Sequence, residues 1–195
     1  MSDNGAGSLK AELRIAALSR RGALSGDERR AAARAIAARA FPLAVTPGII
    51  VAGYSPIRGE IDPVPLMQAL AAQGARLALP AIVARDAPLL FRAWEHGSTL
   101  LAGAMGILEP PPDAPRLIPD IVLVPLAAFD RAGHRIGYGA GHYDRTFEQL
   151  RAIQPFTAVG IAFDVQEIAR IPARPHDVAL DYVLTDTRMI DFRST

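Results

Sequence analysis

Ile121-Val-Leu-Val-Pro-Leu-Ala-Ala-Phe-Asp130, Arg131-Ala-Gly-His-Arg-Ile136 and Gly137-Tyr-Gly-Ala-Gly-His-Tyr-Asp144 form one unbroken stretch. Its opening run, Ile121 to Val124, has the length and apolar character of a buried strand. After a short turn come three glycines at alternate positions, Gly137, Gly139 and Gly141. A helical pattern, Tyr143 to Arg151, follows them directly. Glycines ahead of a helix start let the backbone bend freely and aim several N–H groups at one anion. The helix dipole adds partial positive charge at the same place. The stretch therefore fits a phosphate cradle, and it fits a flexible glycine-rich turn about as well. No Gly-Lys-Ser/Thr follows, so this is not a P-loop, and the spacing is not the dinucleotide pattern G-x-G-x-x-G.

Outward from this stretch, strands and helices alternate. Ser8 is placed to cap a first helix carrying Leu9, Leu13, Ala16 and Ala17 inward, with residues 1 to 7 small, polar and expected to be disordered. Ser25-Gly-Asp-Glu starts a second helix reaching about Ala40, whose Arg29, Arg30, Arg34 and Arg39 suit a solvated face. Gly48 to Tyr54, Arg76 to Leu79, Leu89 to Trp94, Thr157 to Phe163 and Tyr182 to Leu184 predict further strands. Pro63 opens a helix over Val64 to Gln73. Glu109 to Pro115 is proline-rich and reads as a stiff internal connector. This order predicts one α/β domain with a mainly parallel sheet and helices on both faces. Ligands of such folds gather beyond the carboxyl ends of the strands, where Ser55 to Asp62, Gly137 to Asp144 and His176-Asp177 fall.

The composition narrows the function classes. At 195 residues, half of them apolar, the chain can bury a proper core. A net charge of +1 gives no bias toward nucleic acid or an anionic membrane surface. No apolar run has membrane-spanning length, and the first residues lack the pattern of a signal peptide. With no cysteine, disulfides, thiolate metal sites and a cysteine nucleophile are excluded. A cytoplasmic protein is the expectation. Lys10 is the only lysine among 21 Lys and Arg residues. A chain that otherwise uses arginine for cations keeps a compact, rotatable ammonium here, which suits phosphate oxygens; a leftover near the terminus is the plain alternative.

Several side chains carry candidate chemistry. Asp144 lies in the first turn of the helix after the glycine loop, where the dipole stabilises a carboxylate in any case. Beside a triphosphate it could instead hold Mg²⁺, which prefers hard oxygen ligands and keeps several waters. Asp177 could be a second ligand or a turn residue. Glu60, just past a strand end, is either a solvated loop carboxylate or an acceptor for two N–H groups of a heterocycle. His142 could act as a base or only pack. Arg135 and Arg145 flank the loop and suit either phosphate or solvent, and Tyr54 and Trp94 read as core.

In order along the chain, Lys10-x-x-Leu-Arg14, Arg58-Gly-Glu-Ile-Asp62, Gly106-Ile-Leu-Glu-Pro110, Val124-Pro-Leu-Ala-Ala-Phe-Asp130, the glycine loop, His176-Asp177 and Asp181-Tyr-Val-Leu-Thr185 resemble the 5-formyltetrahydrofolate cyclo-ligase family. The resemblance spans Lys10 to Thr185. It implies a three-layer fold of the sugar-phosphate isomerase and CoA-transferase type. It also implies cyclisation of 5-formyltetrahydrofolate to 5,10-methenyltetrahydrofolate with ATP and Mg²⁺, through a phosphorylated formyl (iminium phosphate) intermediate. By position, Lys10 and Arg14 match an ATP-binding pair. Arg135, Ile136, Gly137, Tyr138, Gly139, Ala140, Gly141, His142 and Tyr143 match the loop on the phosphates. Asp144 and Asp177 match Mg²⁺ ligands. Glu60, Ser55 and Tyr138 match the folate contacts, and no general base is implied. Ala140, His142 and Ser55 depart from common choices in the family. A monomer that binds 5-formyltetrahydrofolate and ATP, with no nucleic acid or membrane partner, is expected. Competing expectations are a non-catalytic folate- or RNA-binding relative, and a sugar-phosphate isomerase or acyl-CoA transferase on the same fold.

Overall fold

The computed structural model describes residues 3–103, 106–172 and 177–193. Its strands are β1 (Ile50–Ala52), β2 (Arg76–Ala81), β3 (Leu90–Ala93), β4 (Leu101–Ala102), β5 (Leu108–Glu109), β6 (Ile121–Pro125), β7 (Ala128–Phe129), β8 (Arg135–Ile136), β9 (Thr157–Ala162), β10 (Tyr182–Thr185) and β11 (Met189–Asp191). The helices are α1 (Asp3–Gly22), α2 (Gly26–Ala38), α3 (Val64–Ala71) and α4 (His142–Ile153). Seven strands make the central sheet in the order β11-β10-β9-β6-β1-β2-β3. β10, β9, β6, β1 and β2 run parallel, and only the edge strands β3 and β11 pair antiparallel.

Both faces are buried because residues alternate along each strand. Ile121 and Leu123 of β6 join Val51, Leu77, Val159 and Leu184 in one apolar layer, closed by Ala33 and Ile36 of α2 and Leu66, Met67 and Leu70 of α3. Val122 and Val124 face the other layer with Ala52, Ala78, Ala158 and Val183, closed by Phe147 and Leu150 of α4. Small strand residues dominate this second face, leaving room for the Phe147 ring, whose full burial contributes roughly 1.5–3 kcal/mol. The three-layer α/β architecture read from the sequence is present. Among the described residues, no helix is long and apolar enough to cross a membrane.

Several local expectations need correction. α1 begins at Asp3, ahead of Ser8, so Ser8 does not cap it; the Ser8 hydroxyl instead donates to Glu12 at 3.3 Å. Ser25 does cap α2, in a reciprocal capping box with Glu28. Two arginines placed on a solvated face of α2 turn inward. Arg29 donates to the carbonyls of Arg21 and Gly22, and Arg39 to that of Asp186, while Arg30 and Arg34 stay exposed. The proline-rich segment is held in place by Arg92, which donates to the carbonyls of Pro111 and Pro112. β4–β5, β7–β8 and β11 were not expected at all.

Topology fixes where the site must be. From β1 the chain moves to β2 and β3, then returns to β6 on the other side of β1 and continues away to β9 and β10. The direction of winding reverses between β1 and β6. The loops leaving their carboxyl ends therefore part and open a crevice. α3 and α4 lie on opposite faces because the two crossovers wind in opposite directions.

Candidate active site

The crevice is a cleft of about 390 Å³ at the carboxyl ends of β1, β2 and β6. Of the site residues singled out in the described sequence, all but Arg145 line it: Lys10 and Arg14 from α1, Ser55 and Glu60 from the loop after β1, and Arg135 through Asp144 around the glycine loop. Asp177, from the β9–β10 connection, completes the wall. His176 lies outside the described residues.

The glycine loop is set by the β7–β8 hairpin that precedes it. Asp130, 2 % exposed, accepts from the backbone N–H groups of Ala132 and His134 at 3.0 Å each and from Ile171 at 2.8 Å. It also meets His134 Nδ1 at 3.2 Å. That one carboxylate fixes the turn and ties it to the β9–β10 connection. Gly139 (φ 94°) and Gly141 (φ 67°) then take left-handed backbone, and Gly141 is the N-cap of α4. Ala140 needs no such freedom, since Arg58 is the only non-glycine with positive φ among the described residues. The departure at Ala140 is therefore accommodated by the backbone. With no side-chain cap on α4, the first N–H groups of the helix are left for a ligand at the cleft.

The cations and carboxylates around the glycine loop are already paired. Lys10 Nζ donates to Asp177 Oδ2, and Arg135 donates to Asp144 Oδ1 at 2.6 Å. Arg14 Nε donates to the carbonyl of Gly137 at 2.6 Å, which holds α1 against the loop. Burial pulls Arg135 below the usual arginine range, while the Asp144 carboxylate opposes that shift. Its guanidinium sits 4.8 Å over the Phe147 ring. Arg145 bonds the carbonyl of Ala140 at 2.5 Å and does not line the cleft.

Burial pushes the Glu60 carboxyl up to about 7, although the Ile57 N–H and the Arg21 charge favour its ionised form. Ile57 N donates to Glu60 Oε2 at 2.9 Å. Tyr54 is core, as expected of it, with its hydroxyl donated to the carbonyl of Ile61 at 2.8 Å, and it also forms part of the cleft wall. Trp94 is buried in the core. Ser55 gives its hydroxyl proton to the carbonyl of Leu108 in β5, leaving only acceptor capacity toward the cleft. His142 Nδ1 lies 3.0 Å from the carbonyl of Ala87. A carbonyl only accepts, so Nδ1 carries the proton in this contact, and the ring braces α4 against the loop after β2.

Sequence reasoning missed the apolar wall of Ile57, Pro80, Ile82, Leu89, Ile107 and Pro125, and it missed Glu109. Glu109 Oε1 accepts from Ile82 N at 3.0 Å, so the segment read as a connector delivers a carboxylate to the cleft. It also missed Arg21, which lies behind the wall.

The chain matches the 5-formyltetrahydrofolate cyclo-ligase family over residues 6–186. It belongs to that family. The 5-formyltetrahydrofolate cyclo-ligase of Mycolicibacterium smegmatis is 37 % identical over 93 % of this chain and 95 % of its own length. The cyclo-ligase of Escherichia coli K12 is 35 % identical over 71 % of this chain and 79 % of its own. The 5,10-methenyltetrahydrofolate synthetase of Aquifex aeolicus superposes with a TM-score of 0.79 at 31 % identity, over 95 % of this chain and 93 % of that one. The cyclo-ligases are ligase-type enzymes, and the family that the ordered motifs resembled is the family that the whole chain matches.

Proposed function

We propose that this cleft binds MgATP and 5-formyltetrahydrofolate side by side and closes the folate ring to 5,10-methenyltetrahydrofolate, releasing ADP and phosphate. The observation that carries this is the composition of a single cleft. Lys10, Arg14 and the uncapped N-terminus of α4 line the same cleft as the buried Glu60 and apolar residues such as Ile57, Ile82 and Leu89. A triphosphate needs the first set, and a flat heterocycle with adjacent N–H groups needs the second.

Chemically, the formyl oxygen attacks the γ-phosphorus and ADP departs. N10 then adds to the activated carbon, loses its proton, and phosphate leaves with the former formyl oxygen. An amide oxygen is a poor leaving group until it is phosphorylated, so the protein's part is positioning and charge neutralisation. The Lys10 ammonium serves as a mobile point charge on phosphate oxygens, and Arg14 keeps α1 seated on the loop that wraps them. Glu60 as a carboxylate accepts two N–H bonds from the pterin and fixes which face of the formyl group meets the phosphate.

Among the described residues no group of three metal-ligating side chains occurs. Two carboxylates beside a phosphate cradle nonetheless fit Mg²⁺, which takes one or two protein ligands and fills its shell with phosphate oxygens and water. Asp144 and Asp177 are the residues that would hold it, and when bound it would neutralise charge on the transferring phosphoryl group. Because both carboxylates are paired with cations, metal and nucleotide should bind together, Lys10 and Arg135 passing from carboxylate to phosphate as Asp177 and Asp144 turn to the metal. We further propose that the enzyme acts as a monomer in the cytoplasm and needs no nucleic acid or membrane.

The test is the absorbance of methenyltetrahydrofolate formed from 5-formyltetrahydrofolate with and without MgATP. A rise only with MgATP is expected. Folate binding without any rise would instead indicate a sequestering relative.

A further inference from the structure

Arg21, near the end of α1, is 2 % exposed and is the largest fully buried side chain among the described residues. A guanidinium out of water is costly unless every arm is satisfied, and an apolar side chain at such a site often gives equal or better stability. Its partners lie on three other segments. It donates to the carbonyl of Leu126 after β6 at 3.4 Å, to the carbonyl of Arg58 in the loop after β1 at 2.9 Å, and to the Tyr138 hydroxyl of the glycine loop at 2.5 Å. Among the described residues Arg58 is the single non-glycine with left-handed backbone (φ 50°), two residues before Glu60, and Arg21 holds its carbonyl. Two guanidiniums approach the Tyr138 ring, Arg21 at 5.7 Å and Arg58 at 5.5 Å from its centroid.

Resting on the function proposed above, we infer that Arg21 is a positioning residue of the site. It holds the Tyr138 hydroxyl and the Arg58 turn so that the pterin-binding Glu60 loop and the phosphate-binding glycine loop keep one fixed separation.

The hydrogen-bond polarity makes the link directional. A guanidinium only donates, so the Tyr138 oxygen must accept from Arg21 and its own proton is free to point elsewhere. Glu60 and Tyr138 both line the cleft, and the Glu60 carboxylate makes ionising the Tyr138 hydroxyl harder. Glu60 itself accepts from the Ile57 N–H within the loop whose Arg58 carbonyl Arg21 holds, and it lines the cleft. Both Arg21 and Arg58 favour the Glu60 carboxylate over its acid, the form that two pterin N–H groups require. A lysine at position 21 would keep the charge and lose the fork that reaches two loops at once.

A double-mutant cycle of Arg21→Lys and Tyr138→Phe, read on the Kd of 5-formyltetrahydrofolate without ATP, tests this. Each single change should weaken binding by about tenfold, as loss of a hydrogen bond to a charged group does. The double change should weaken it by clearly less than the product of the two. In turnover, KM for the folate should rise more than KM for MgATP. Multiplying effects, or a folate Kd of Arg21→Lys equal to wild type in folded protein, would overturn the inference. Should Arg21→Lys not fold, Tyr138→Phe decides alone: unchanged folate affinity in that variant shows that the Arg21–Tyr138 bond does not position the site and overturns the inference. Wild-type protein that binds the folate without MgATP-dependent turnover would sink the catalytic function while the binding cycle still tests Arg21. Wild-type protein that does not bind folate sinks both.

Discussion

Replacing Glu60 by glutamine should stabilise this protein at pH 8 while damaging its site. Both effects follow from burial of one carboxyl, 8 % exposed, whose ordinary value of 4.5 is pushed up to about 7. Below pH 4.5 the group is protonated whether the chain is folded or not, and it contributes no pH dependence. Between 4.5 and about 7 the unfolded chain releases a proton that the folded chain keeps, so stability falls as pH rises. Above 7 the loss is complete, and at about 1.4 kcal/mol per tenfold it amounts to roughly 3 kcal/mol. Glutamine is close in shape, stays neutral, and can still accept the Ile57 N–H through its amide oxygen. Glu60→Gln should therefore raise the melting temperature at pH 8 by roughly 5–10 °C for a chain of this size. The gain should shrink to under about 1 kcal/mol at pH 5. Scanning calorimetry or urea melts at both pH values measure it. An equal gain at both, or a loss at pH 8, would refute the link between burial and ionisation. The same variant offers one acceptor where a carboxylate offers two oxygens, so its affinity for 5-formyltetrahydrofolate at pH 8 should fall by about tenfold or more. A more stable protein with a weaker site is the joint result expected.

Other changes separate the cleft residues from the scaffold. Lys10→Arg should raise KM for MgATP by about tenfold with little change for the folate, because a rigid fork replaces a rotatable point charge; unchanged ATP kinetics would return Lys10 to a mere partner of Asp177. Asp144→Asn should raise the Mg²⁺ concentration needed for half-maximal turnover by about tenfold or more with small effect on melting, since it removes a charge and keeps the shape; normal turnover at limiting Mg²⁺ would remove Asp144 from the metal site. Asp130→Ala leaves the N–H groups of Ala132, His134 and Ile171 without their acceptor and should cost about 3 kcal/mol in urea unfolding; a cost under about 1 kcal/mol would mean that the hairpin holds the loop without it.

Much of this protein is written locally. The apolar run Ile121 to Val124, the glycines before Tyr143 and the Ser25 capping box each state their structure within a few residues, because strand burial, positive φ and helix capping are short-range requirements. The ordered motifs resembled the family that the whole chain matches. The short hairpins escaped notice because two-residue strands have no periodicity to read.

By itself the sequence determined an α/β chain whose polar loops leave strand carboxyl ends and whose motifs belong to one family. Only the tertiary structure decided which of those loops meet. Convergence depends on the winding reversal between β1 and β6, a relation among segments far apart in the chain. From sequence Glu60 is either a solvated loop carboxylate or an acceptor for a heterocycle; only the fold buries it, and burial is what moves its proton. Arg21 carries no signal among the other arginines. Its role arises when three distant segments bring a carbonyl, a second carbonyl and a hydroxyl to one guanidinium, since long-range hydrogen bonds leave no mark on local sequence.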